Sequence, residues 1–155
     1  MIWETLEESL IFINLDCSDA ETALEIMGSS MQKAGYVKPD YVQELIERER
    51  KFPTGLDMQG IGVAIPHTDA GYVNRSGIAV AALKHPVFFE QMGEEHKEVQ
   101  VELIFLLAVK QGSDHLDWLQ RVLYMIQDRS VLKKLQKAEQ TQDVIRIIRE
   151  KEQNL

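Results

Sequence analysis

Apolar residues follow two rhythms along this chain. Short continuous apolar runs read as strands, and longer stretches in which apolar positions return every three or four residues read as helices. Residues 10–15 form the first run and predict a strand. Ser18 followed by Glu21 has the spacing of a capping box, in which the hydroxyl accepts from an orphan N–H and the carboxylate reaches back. A helix over 19–34 follows, with Ala20, Ala23, Leu24, Met27, Met31 and Ala34 on its buried face. Gly35 is placed to end it in the left-handed conformation. Pro39 reads as a first-turn proline of a second helix striped by Tyr41, Val42, Leu45 and Ile46. That helix stops near Lys51, because Pro53 cannot continue it, and Pro53-Thr54-Gly55 marks a turn.

Strands are predicted at 61–65, at 77–83 ending on His85-Pro86, and at 87–89, with a charged loop at 93–98. Residues 99–109 carry the strongest strand pattern. Val99, Val101 and Leu103 alternate with Gln100 and Glu102, and the rest is apolar throughout, as in a strand covered on both faces. Gln111-Gly112-Ser113 reads as a turn and cap for a helix bearing Leu116, Leu119, Val122, Leu123 and Ile126. Two shorter helices close the chain, one over 131–137 and one capped by Thr141 with Val144, Ile145, Ile147 and Ile148. A strand, two helices, several strands and terminal helices predict a layered α/β domain with a mixed sheet covered by helices.

Composition narrows the classes of function. A chain of 155 residues reads as one domain over 1–155, long enough to bury a core without metals or disulfides. The net charge of -8 and the lack of a basic stripe argue against general binding to nucleic acid or anionic membranes. A lone cysteine, Cys17, allows no intrachain disulfide and fits a reducing compartment. Met1-Ile2-Trp3-Glu4-Thr5-Leu6-Glu7-Glu8 has no positively charged start, and the apolar run 103–109 is too short to span a bilayer. These features point to a cytoplasmic protein.

The chemistry centres on Gly60-Ile61-Gly62-Val63-Ala64-Ile65-Pro66-His67. A strand-length apolar segment stops at a proline and delivers a histidine at its end. A neutral imidazole keeps one nitrogen lone pair and can take a phosphoryl group, provided its other nitrogen is held by a hydrogen bond. Thr68 and Asp69 are candidates to orient the ring. Upstream, the cluster Arg48-Glu49-Arg50-Lys51 runs into Phe52-Pro53-Thr54-Gly55-Leu56, so cations lie close in sequence. Read singly, Arg48 is a solvated helix-end cation, and His115 a first-turn residue beside Leu119.

Ala64-Ile65-Pro66-His67, preceded by Arg48-Glu49 and Pro53-Thr54-Gly55, resembles enzyme IIA of the bacterial phosphoenolpyruvate-dependent sugar phosphotransferase system, in the fructose–mannitol superfamily. Val87-Phe88-Phe89 with Met92-Gly93, the run 99–109, and His115-Leu116 followed by Leu119 and Leu123 extend the likeness from about Leu10 to Ile148. Gln59 and the longer Leu56-Asp57-Met58-Gln59 stretch depart from the mannitol and fructose branch, and Phe52-Pro53-Thr54-Gly55-Leu56 looks closer to galactitol-type members.

The resemblance implies an α/β fold with a mixed sheet of about five strands and helices on both faces, like that of the phosphotransferase/anion-transport proteins. It implies a phosphotransferase without cofactor or metal. The HPr-type phosphocarrier passes a phosphoryl group to the IIA histidine, which passes it to a cysteine of the IIB component while the IIC permease moves a sugar or hexitol. By position His67 matches the acceptor, as a tele-phosphohistidine. Arg48 matches the arginine of the family's Arg-Glu pair, and His115 a second active-site histidine of many members. A first-turn His115 would lie near a positive dipole end, where backbone N–H groups also face a phosphoryl oxygen. A regulatory phosphoprotein with a IIA-like domain is the alternative.

Other constellations are weaker. A metal site from His67, Asp69 and either His85 or His96 lacks the paired-histidine spacing of metal centres. Gly60-Ile61-Gly62 lacks the third glycine and following helix of a dinucleotide loop. Cys17, between a strand and a helix cap, reads as a small partly buried side chain rather than an activated thiol.

Overall fold

The computed structural model describes residues 1–94, 96–110 and 112–154. Its elements are β1 (Ile11–Leu15), α1 (Ala20–Lys33), α2 (Tyr41–Lys51), β2 (Gly55–Met58), β3 (Ile61–Ala64), β4 (Gly77–Glu90), β5 (Glu98–Ala108), α3 (Gly112–Ile126), α4 (Arg129–Lys137) and α5 (Thr141–Gln153), with short 3-10 turns at Ile2–Thr5, Glu8–Leu10 and Ala70–Tyr72. The strands form one five-stranded sheet in the order β1-β4-β5-β3-β2. β1 runs parallel to β4 and β3 parallel to β5, while β4/β5 and β2/β3 are antiparallel. The expected mixed sheet with helices on both faces is the architecture found.

Alternation along the central strands builds two cores. Ile78 and Val80 of β4 and Leu103, Phe105 and Leu107 of β5 pack under α3, α4 and α5 through Val122, Met125, Leu132 and Ile148. Ala79, Ala81, Ile104 and Leu106 face the opposite way, against Leu24, Met27 and Met31 of α1 and Tyr41 and Leu45 of α2. Burying each large aliphatic side chain contributes about 1.5–3 kcal/mol. Glu152 of α5 is fully buried and accepts from the backbone N–H groups of Ile2 (3.0 Å) and Trp3 (2.7 Å), tying the first turn of the chain to the last helix.

Several sequence expectations change. Asp19, not Ser18, caps α1: its Oδ1 accepts from the Thr22 N–H at 2.7 Å, so the helix starts one residue later than a Ser18 cap would set it. Gly35 does end that helix region with φ of +87°. Pro39 lies in the turn before α2, whose N-cap is Asp40. Likewise Thr141 is the first residue of α5 rather than its cap, which is Gln140. The predicted turn at 53–55 runs directly into a strand, β2, that has no apolar run to announce it. Gln59 and Gly60, both at positive φ (56° and 94°), form the two-residue connection to β3, and Asp57 accepts from the Gly60 N–H at 2.8 Å.

The two strands expected at 77–83 and 87–89 are one strand, β4, crossing a bulge. Leu83, Lys84, His85 and Pro86 stand opposite Glu102 alone, so the N–H that Pro86 lacks falls where no ladder bond is made. Leu116 is 61% exposed instead of facing the core. Glu95 of the charged loop and Gln111 of the expected cap lie outside the described residues, as does the side chain of Ser113.

β3 carries the site by its close approach to β5. A Cβ at Gly62 would stand 1.9 Å from the Gln100 carbonyl oxygen, so only glycine lets these strands pair here. Beyond the strand end, the Leu107 N–H donates to the Pro66 carbonyl at 3.0 Å, and His67 pairs with Leu107 as a last parallel bridge. Gly62→Ala is therefore expected to destabilise the fold by about 3 kcal/mol, read from the urea unfolding midpoint at unchanged slope.

Candidate active site

His67 sits just past β3, half-buried, with its Nδ1 2.9 Å from the carbonyl oxygen of Ile65. A carbonyl only accepts, so in the neutral ring Nδ1 carries the proton and Nε2 keeps its lone pair. Burial holds the His67 pKa below its ordinary value; the Ile65 hydrogen bond opposes this, and the charges of His115 and Arg48 reinforce it. The ring is therefore neutral at neutral pH.

Three segments distant in sequence converge here. His115, in the first turn of α3, places its ring centroid 4.7 Å from that of His67 with the planes tilted by 54°. Its pKa is also held down, by burial first and by Arg48 second. Arg48, in the last turn of α2, donates from Nη1 to Asp69 Oδ1 at 3.1 Å, and its guanidinium lies 5.3 Å from the centre of the Phe52 ring. Thr68 is buried and its hydroxyl donates to the Asp69 carbonyl at 3.1 Å, fixing the loop that carries the Arg48 partner. Of the residues considered for orienting the imidazole, neither Thr68 nor Asp69 bonds to it among the described contacts; the Ile65 carbonyl does. Phe52 is 62% exposed, so the site is flanked by apolar surface at Phe52 and Leu116.

Sequence reasoning left Glu49 without a role of its own. Its Oε2 accepts from the Thr54 N–H at 2.7 Å and its Oε1 from the Thr54 hydroxyl at 2.8 Å. Burial pushes its carboxyl up to about 7 against the pull of these two bonds, and Glu90 adds to the rise. The only signal was a carboxylate five residues before a threonine in a proline turn, which does not reveal the contact.

The other candidates stand apart from this cluster. His85 lies in the β4 bulge and His96 by the β4–β5 turn, where it lines a groove of about 590 Å³ with Arg50, Phe52 and Met92. Among the described residues no three His, Cys, Asp or Glu side chains come together as a metal-binding group. Burial raises the Cys17 thiol pKa, and Asp16 and Asp19 raise it further, so its environment disfavours the thiolate. No described helix is long and apolar enough to cross a membrane. The chemistry the cluster supports is attack by a neutral imidazole Nε2 on an electrophilic centre bearing anionic oxygens, with a guanidinium and a second imidazole as donors.

Known proteins resemble this chain in sequence and in fold. The family model of the phosphoenolpyruvate-dependent sugar phosphotransferase system, EIIA 2, matches residues 4–151. The chain is 34% identical over 101 residues, 65% of its length, to the transcriptional regulator ManR of Bacillus subtilis, of which it spans 14%. It spans under a quarter of other multidomain relatives that it matches. The galactitol-specific EIIA component of Escherichia coli is 29% identical over 124 residues, covering 80% of this chain and 82% of that protein. The structure overlays with a TM-score of 0.78 on a chain of the complex of enzyme IIAMtl and phosphorylated enzyme IIBMtl from Escherichia coli, at 24% identity, covering 94% of this chain and 97% of that one. With the family model covering the chain almost from end to end, this protein belongs to the EIIA 2 family of the phosphoenolpyruvate-dependent sugar phosphotransferase system.

Proposed function

We propose that this chain is a phosphotransferase domain of the cytoplasm that carries a phosphoryl group transiently on His67. The observation that carries the reading is the bond between His67 Nδ1 and the Ile65 carbonyl, which leaves Nε2 as the nucleophile beside Arg48 and His115. In the first step the Nε2 lone pair forms an N–P bond as the N–P bond to the histidine of an HPr-type phosphocarrier breaks, and the donor imidazole keeps that electron pair. In the second step a cysteine thiolate of a IIB component attacks the phosphorus, and the bond to Nε2 breaks. His67 then recovers its lone pair, while the IIC permease takes the sugar through the membrane.

Phosphoryl transfer asks the protein mainly for positioning and for charge stabilisation. Arg48 supplies a planar fork of donors for the phosphoryl oxygens and gives up part of its bond to Asp69 to do so. His115 donates from the facing ring. Identity to a galactitol-specific EIIA component, together with the Phe52-Pro53-Thr54-Gly55-Leu56 segment, supports a hexitol as the transported substrate.

Identity to ManR supports a second reading, in which the same phosphohistidine regulates a bound protein and no sugar is moved. Incubation with a phosphocarrier system and a cognate IIB protein separates the two. Onward transfer to the IIB cysteine supports transport, and a stable phosphoprotein with no acceptor supports regulation.

His67→Ala is expected to abolish labelling by the phosphocarrier system while leaving the circular dichroism spectrum unchanged; label retained on that variant would exclude His67 as the acceptor. Arg48→Ala keeps the acceptor but loses a charge donor, so single-turnover phosphorylation should slow by about 10²-fold. The pH dependence follows from the lowered His67 pKa. The nucleophilic form is neutral, so the acceptance rate should hold as pH falls through the ordinary imidazole value of about 6.5 and decline only at the lower, folded-state value. His115→Ala removes one cause of that lowering, and the His67 titration followed by NMR should move upward.

A further inference from the structure

A chain of hydrogen bonds leads from α2 to the nucleophile. Glu49 holds Thr54 at both its N–H and its hydroxyl. The Thr54 carbonyl accepts from the Ile65 N–H at 3.4 Å, and the Ile65 carbonyl accepts from His67 Nδ1 at 2.9 Å. Through Thr54, one carboxylate therefore anchors the N–H of the residue whose carbonyl, across its Cα, orients the imidazole. The same carboxylate shapes the turn carrying Phe52, whose N–H donates to the Arg48 carbonyl at 2.7 Å and whose ring lies beneath the Arg48 guanidinium. At the other end of α2, the buried Tyr41 hydroxyl donates to the Leu107 carbonyl at 3.2 Å, on the strand residue that bridges His67. The helix is thus pinned at both ends against the segment it serves.

We propose that Glu49 is a positioning residue for phosphoryl transfer, setting through Thr54 and Ile65 which ring nitrogen of His67 carries the proton. It touches neither His67 nor a phosphoryl group. Its two bonds span the turn between α2 and β2; without them the N-terminal side of Ile65 keeps only the long bond to an unanchored Thr54, while its C-terminal side stays tied through the Leu107 bond to Pro66. An Ile65 whose backbone dihedrals are free to shift no longer presents its carbonyl to Nδ1, and the proton is then shared with Nε2. Each ring with its proton on Nε2 has no lone pair there for phosphorus. Groups that orient a metal-bound imidazole from outside matter by about 10–100-fold, and an effect of the same order is expected for one that orients this ring.

The inference rests on His67 being the phosphoryl acceptor, and its test separates the two. The tautomer ratio of His67 is read from the ¹⁵N shifts of its ring nitrogens, with no phosphoryl donor present, in the wild type and in Glu49→Ala, Glu49→Gln and Thr54→Val. Glutamine keeps both contacts, because its amide oxygen accepts from the Thr54 N–H and its NH₂ donates to the hydroxyl. The wild type and Glu49→Gln should show the Nδ1–H form in clear excess. Glu49→Ala should show a mixture, and its single-turnover phosphorylation should fall by about tenfold. Thr54→Val removes the hydroxyl contact alone and should fall between them, which keeps the test available if Glu49→Ala does not fold. A His67 tautomer ratio in Glu49→Ala equal to that of the wild type, or in Thr54→Val if that is the variant that folds, overturns the proposal. So does a glutamine variant as impaired as the alanine one. Should His67→Ala still take label, the relay reading fails, while the tautomer ratios still decide what Glu49 does.

Discussion

One carbonyl oxygen determines what the site can do. Ile65 lies between the last ladder position of β3 and the imidazole, and its carbonyl oxygen accepts a hydrogen bond from the Nδ1–H of His67. An imidazole in solution exchanges its proton between two nitrogens. Here the backbone makes the choice, and the cost of ordering the ring is met by strand pairing that exists for other reasons. β3 is held on one side by β5, through a contact that tolerates only Gly62, and on the other by the β2 hairpin. His67 thus inherits the rigidity of the sheet without lying inside it, as a preorganised site requires.

Burial and charge then act in the same direction. His67 is half-buried, and Arg48 and His115 place positive charge or its potential beside it. Each disfavours the imidazolium, so the ring stays nucleophilic at neutral pH. The same two groups suit an anion: cations that oppose a proton on the free ring favour negatively charged oxygens beside it. Asp69 moderates the arrangement by holding Arg48 in place when no anion is present. Around this polar centre Phe52 and Leu116 leave apolar surface exposed.

The fold follows from the same economy of contacts. β4 and β5 are covered on both faces, and their alternating side chains serve two separate cores. α3 and α2, one from each layer, then end up with His115 and Arg48 near the end of the same strand. The bulge in β4 lets that strand bend toward β2, where Gln91 bridges Gly55 and the Met92 N–H donates to the Gly55 carbonyl at 2.8 Å. This brings the β4–β5 turn beside the turn that Glu49 secures.

Much of this was legible in the chain itself. The apolar runs at 61–65 and 99–109, the helical spacing at 20–31 and 41–46, and the proline before His67 declare their elements, because burial on one or both faces leaves a periodic record. β2 left none: an edge strand of four residues pairs through its backbone, and its side chains need no rhythm. The β4 bulge hid for a related reason, since a proline in a strand reads as an end when the partner strand is out of view. Residue type and position marked His67, and the family resemblance marked Arg48 and His115, yet their meeting depends on which helix covers which face, a matter of strand order that local sequence does not encode. The role of the Ile65 carbonyl and the grip of Glu49 on Thr54 arose only in three dimensions, because every backbone carbonyl is chemically alike until the fold decides what stands in front of it.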